Sequence, residues 1–134
     1  MADFALKIVT PDGIRFDGRA EQLTVRTIEG DVGLLAGHIN YVAPLGMGQA
    51  VIVTGGKRRV GACIGGMVSM VNGEATLLPS SFEWADMIDV DRAEASLRKA
   101  DQILKDKNSS ATDLKMAEAR IRRALVRKSV AGSK

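Results

Sequence analysis

Glycine all but disappears from this chain after residue 73, with 13 of its 14 glycines lying at or before Gly73. Up to Trp84 the text alternates apolar and polar residues. Beyond it the chain is rich in alanine and charge, with apolar residues at helical spacing. Glycine supplies the positive φ angles of tight turns and weakens helices, so the two parts cannot fold alike. The distribution predicts an α+β chain: an N-terminal antiparallel β-sandwich over residues 1–84, then a C-terminal antiparallel two-helix hairpin over residues 85–134.

Six segments of the first part carry the period of half-buried strands: Phe4–Val9, Gln22–Ile28, Gln49–Thr54, Lys57–Cys63, Gly66–Val71 and Glu74–Leu78. Gly55-Gly56 joins the third to the fourth, and Asn72-Gly73, suited to a type I′ turn, joins the fifth to the sixth. Pro11-Asp12-Gly13 and Asp17-Gly18 read as further turns. Short strands at this spacing with no helix between them imply a sandwich or flattened barrel.

Composition removes several kinds of chemistry. A single cysteine, Cys63, forbids an intrachain disulfide, and one Cys with one His does not make a conventional zinc site. Cys63 lies in a strand pattern and reads as a small buried hydrophobe. His38, alone in the glycine-rich loop Glu29–His38, reads as structural. Gly55-Gly-Lys-Arg-Arg59 lacks the spaced glycine and the Ser/Thr of a phosphate loop. No residues are spaced for catalysis, and no metal is expected. The opening Met1-Ala-Asp-Phe-Ala5 lacks the basic and apolar regions of a leader, and no apolar run approaches the ~20 residues of a membrane helix. The expectation is a cytosolic chain without membrane insertion.

In the second part Asp89 is placed to cap a helix whose stripe is Ala93, Leu97, Ala100 and Leu104, ending near Lys107-Asn108. Ser110 or Thr112 caps the next, with the stripe Leu114, Ala117, Ile121 and Ala124. Because half of each stripe is alanine, the helices approach closely but bury little area. Such a hairpin is suited to opening.

Charge is unevenly shared. Residues 1–85 carry seven basic and eight acidic side chains, residues 86–134 twelve and eight. Arg92, Ser96 and Lys99 each stand one residue before a stripe position, as do Arg120 and Arg123, whose row Arg127 continues. In an antiparallel pair these rows share a face, with Arg92 level with Arg127, Ser96 with Arg123 and Lys99 with Arg120. Five cations so placed are either a solvated basic face or a site for an anion, which could be a polyphosphate or an acidic protein segment.

From Phe4 to Val130 the chain resembles the ε subunit of bacterial F-type ATP synthases, the counterpart of the mitochondrial δ subunit. The resemblance rests on Val9-Thr-Pro-Asp-Gly13, Glu29-Gly-Asp-Val-Gly-Leu-Leu-Ala-Gly-His38, Val42-Ala-Pro-Leu45, Gly65-Gly66, Ile88-Asp-Val-Asp-Arg-Ala93 and Arg122-Arg-Ala-Leu-Val-Arg127. It implies a non-catalytic subunit of the central stalk, at the cytoplasmic face of the bacterial membrane. The sandwich would bind the γ subunit and the c-ring and couple ion-driven rotation to ATP synthesis, with Glu29, Asp31 and His38 as contact residues. Extended along γ, the hairpin would meet acidic segments of the catalytic α and β subunits and suppress ATP hydrolysis. Folded, it would bind ATP as a regulatory ligand through Glu83, Ile88, Asp89, Arg92, Ala93, Lys99, Arg123 and Arg127. In that arrangement Arg92, Arg123 and Arg127 take phosphates, while Glu83 and the Ile88-Asp89 backbone read adenine. No cofactor is required. The chain departs from the family at Ala36, where proline is usual, and at Met67-Val-Ser-Met70, where Phe-Leu-Glu-Val is more usual.

Two other classes compete. A freestanding ATP-responsive sensor would use the same hairpin, but it would need a free sandwich surface, against which the apolar residues on paired strands argue. A nucleic-acid binder would use the basic tail, but Trp84 and Tyr41 lie outside it and leave nothing to stack on bases.

Overall fold

A computed structural model of the chain describes residues 2–133. Ten strands come first: β1 (Phe4–Thr10), β2 (Gly13–Ala20), β3 (Gln22–Thr27), β4 (Gly30–Leu35), β5 (Tyr41–Pro44), β6 (Met47–Thr54), β7 (Lys57–Ile64), β8 (Met67–Val71), β9 (Glu74–Leu78) and β10 (Ser81–Trp84). One turn of 3-10 helix, Ala85–Met87, leads into α1 (Val90–Lys105) and α2 (Ala111–Ala131).

The strands form two five-stranded sheets, in the orders β2-β1-β9-β8-β5 and β10-β7-β6-β3-β4. All pairs are antiparallel apart from β1 with β9. The inward side chains interlock as one core that includes Leu6, Ile8, Leu23, Val25, Leu34, Ile52, Val68, Met70 and Leu77. Asn72 and Gly73 take φ values of 51° and 79°, the two successive positive angles that a type I′ turn demands. The segment Glu29–His38, expected as a glycine-rich loop, is instead mostly strand. Gly33 stands opposite Thr24 and Val32 opposite Val25, so β4 completes the edge of the second sheet.

Strand β7 is buried on both faces from Val60 to Ile64. Cys63 points into the main core. Val60 and Ala62 point the other way, into a second, smaller cluster with Ala85 and Val130, bordered by Val51, Ile88 and Val126. The last turns of α2 thus rest on the outside of the second sheet. Between the helices Ala93, Ala100, Ala117 and Ala124 are buried, while Leu97, Leu104, Leu114 and Ile121 are only half-buried. Helix α1 begins on the side chain of Asp89, which accepts a hydrogen bond from the Arg92 amide at 3.0 Å. It ends at Lys105, short of the expected Lys107-Asn108, because Asp106 takes an extended conformation and its carboxylate accepts from the Asn108 amide. Helix α2 starts with a reciprocal cap, Ser110 with Asp113.

Candidate anion-binding site

Where the hairpin meets the sandwich there is a cavity of about 480 Å³, in the range of small-molecule sites. Its walls come from both parts. The sandwich supplies Asp12, Arg15, Ser81, Phe82 and Glu83; α1 and its approach supply Met87, Asp89, Arg92, Ala93 and Ser96; α2 supplies Arg120, Arg123 and Arg127. Five arginines here face three carboxylates, a net formal charge of +2.

The arginines are not equivalent. Arg127 donates from Nε to Glu83 Oε1, and its Nη2 lies 3.5 Å from Ser81 Oγ. This ion pair ties α2 to β10 with both side chains about two-thirds buried. Among the described residues Arg15, Arg92, Arg120 and Arg123 form no ion pair. Guanidinium groups crowded at a half-enclosed site repel one another, and the repulsion is relieved most directly by a multiply charged anion held in forked hydrogen bonds.

Of the residues expected in a nucleotide site, Glu83, Asp89, Arg92, Ala93, Arg123 and Arg127 all line the cavity. Ile88 does not; it packs beside the small Val60–Val130 cluster. Lys99 does not either. It stands exposed, two turns and about 10 Å along α1 from Arg92. Its place as the fifth cation is taken by Arg15, which sequence spacing could not bring into view because it belongs to another part of the fold. Asp12, Ser81 and Phe82 were equally out of reach of helical periodicity.

The other expected contact residues lie elsewhere. Asp31 is exposed and pairs with Arg26 across β3 and β4 at 2.7 Å. Glu29 sits in the turn before β4, where its amide donates to Thr27 Oγ1. His38 follows β4 at its far end, with its Nδ1 2.7 Å from the Ile39 carbonyl and its ring edge-on to Tyr41 at 6.0 Å. All three therefore lie along one sheet edge. Apolar side chains stand exposed on the outward face of the other sheet, Val42 at 62%, Met67 at 40% and Leu78 at 48%, with Met67 directly opposite Leu78. No described helix is long and apolar enough to cross a membrane.

Comparison with known proteins bears on both parts. The family model for the β-sandwich domain of the ATP synthase delta/epsilon chain matches residues 3–85, and that for its long α-helix domain matches residues 86–132. The chain is 42% identical to the ATP synthase epsilon chain of Ruminococcus albus, covering 100% of both chains. It is 37% identical to that of Bacillus pumilus, covering 98% of this chain and 99% of the other. In fold it resembles a chain of the Euglena gracilis mitochondrial ATP synthase (OSCP/F1/c-ring in rotational state 1), with a TM-score of 0.83 and 20% identity over 96% of this chain and 81% of that one. A chain of the Tetrahymena thermophila mitochondrial ATP synthase central stalk and c-ring gives a TM-score of 0.61 at 15% identity, over 95% of each. At these identities the two structures speak to the fold alone.

Proposed function

The chain belongs to the ATP synthase delta/epsilon family, as a non-catalytic epsilon subunit, and from that premise we propose that its hairpin is a nucleotide-gated regulator. The observation that carries this is the cavity at the junction of hairpin and sandwich, with four arginines that have no carboxylate partner among the described residues. ATP is the ligand that suits it: the triphosphate meets Arg92 and Arg123, while Glu83 and the start of α1 face the base.

The sandwich is the fixed part. Its exposed apolar strip, Val42, Met67 and Leu78, is suited to the γ subunit, since contiguous exposed apolar surface marks protein interfaces. The edge carrying Glu29, Asp31 and His38 is suited to the c-ring. Seated there at the cytoplasmic face of the membrane, a two-sheet body passes torque without deforming. The hairpin is the movable part. When it leaves the sandwich, Arg120, Arg122, Arg123 and Arg127 become available to acidic segments of the catalytic α and β subunits, and hydrolysis stops. Because the docked face is small, a ligand of modest affinity governs it: ATP at ten times its Kd adds about 1.4 kcal/mol to the docked state.

The test is a calorimetric titration of ATP into the full chain, with and without magnesium, beside Arg92→Ala and Arg123→Ala. Saturable binding lost in both variants is expected. No heat up to several millimolar ATP would dismiss the gate and leave a subunit whose basic face serves acidic protein partners alone.

A further inference from the structure

Resting on the nucleotide reading above, we propose that Arg15 of the sandwich is a phosphate-binding residue of the same site, so that one ligand is held by both parts of the protein at once. Three observations lead there. In the ladder between β1 and β2, Ile8 stands opposite Phe16 and Val9 opposite Ile14, which leaves Arg15 as the extra residue of a β-bulge. Bulges re-aim a side chain out of the regular alternation and are frequent beside functional sites. Here the bulged residue's side chain lines the cavity shared with Arg92, Arg120 and Arg123.

Its backbone is also anchored. The Arg15 carbonyl accepts the indole N–H of Trp84 at 3.2 Å, and Trp84 is itself wedged edge-on against Phe16 and Phe82. A half-buried arginine on an anchored strand, without an ion-pair partner among the described residues, is held ready for an anionic ligand. Asp12 lines the cavity too but forms no ion pair with Arg15.

The geometry gives Arg15 a role that the hairpin's arginines cannot perform. Arg92, Arg120 and Arg123 move with the hairpin, whereas Arg15 stays with β2. A phosphate group touching both loses Arg15 when the hairpin undocks, so this contact, added to that of Glu83 with the base, converts phosphate binding into a force on the docking equilibrium. Differential affinity of this kind is the only way a ligand shifts a conformational balance.

The experiment is calorimetry on the full chain with ATP and with inorganic tripolyphosphate, for the wild type, Arg15→Ala and Arg15→Lys, together with protease cleavage within α2 with and without saturating ATP. Arg15→Ala should raise the Kd of both ligands about 10- to 100-fold and weaken the ATP-dependent protection of α2. Arg15→Lys, keeping the charge but not the fork, should fall between. Equal thermal unfolding of the three proteins establishes that the fold is intact, and if Arg15→Ala fails to fold the Arg15→Lys series decides alone. Unchanged affinity in a folded Arg15 variant, or a loss for ATP without a loss for tripolyphosphate, overturns the proposal while the nucleotide site stands. A wild type that binds neither ligand removes both.

Discussion

Val130→Ala should undock the hairpin while leaving the sandwich almost as stable as before. Val130 is 1% exposed and sits in a cluster with Val60, Ala62 and Ala85, bordered by Val51, Ile88 and Val126. Truncation removes two carbons, each contributing about 0.8 kcal/mol of burial, and leaves a void on a surface that cannot fully collapse. A loss of about 2 kcal/mol follows, which shifts the docked-to-free ratio about 30-fold. The core between the sheets contains no residue of α1 or α2, so the loss should stay local. Native-state hydrogen exchange reads this directly: amides of α2 should lose protection about 30-fold, while those of β1, β3 and β6 keep theirs. If strands and helix lose protection together, the protein is one cooperative unit and the two-part reasoning fails. If α2 is unaffected, the Val130 cluster is not what seats it.

Other perturbations test the sandwich. A Cβ on Gly66 would lie 2.0 Å from the Leu78 carbonyl oxygen and 2.7 Å from Pro79 Cα, at a φ of +96°, so Gly66→Ala should cost more than about 4 kcal/mol in urea unfolding or prevent folding. Gly73→Ala, at φ +79° with nothing within 4 Å, should cost only about 1–2 kcal/mol. Burial pushes the Cys63 thiol from 9.0 up to about 12, so it should resist alkylation in the folded protein at pH 8 and react once urea unfolds it. The sign of its pH dependence follows from the raised value. The folded state keeps the proton that the unfolded chain releases, so the contribution of Cys63 to stability is full below pH 9 and is lost as pH rises towards 12.

The six strands legible in the sequence are β1, β3, β6, β7, β8 and β9, the interior strands of the two sheets; the four that were not, β2, β4, β5 and β10, are the four edges. An interior strand has neighbours on both sides and at least one buried face, which enforces alternation except where, as in Val60–Ile64 of β7, both faces are covered. An edge strand lacks one neighbour, and its sequence tolerates glycine and charge, as in Gly13-Ile-Arg-Phe-Asp-Gly-Arg-Ala20. That is why Asp17-Gly18 reads as a turn and Glu29–His38 as a loop. The cap at Asp89 was legible, and that of α2 narrowed to Ser110 or Thr112, of which the fold takes Ser110, because a cap is local: a side-chain oxygen and an amide two or three residues on.

The cationic row follows the same division. Arg92, Ser96, Arg120, Arg123 and Arg127 were aligned by helical period alone, and all five line the cavity. Lys99 fits the same period yet does not line the cavity, because period fixes direction around a helix and not distance along it from what the helix rests on. Arg15 breaks the period of its own strand at a bulge, so no pattern within the chain announces it.

Residue order dictates where glycine allows turns, where apolar residues recur every second or every third and fourth position, and therefore that a sheet structure precedes a helical hairpin with one basic face. These are properties of near neighbours along the chain. Folding in three dimensions sets which face of the sandwich carries the hairpin, that Glu83 takes Arg127 as its partner, and that Arg15 joins the arginines of α1 and α2. Those outcomes depend on groups distant in sequence meeting in one small volume, where packing and charge pairing select the arrangement.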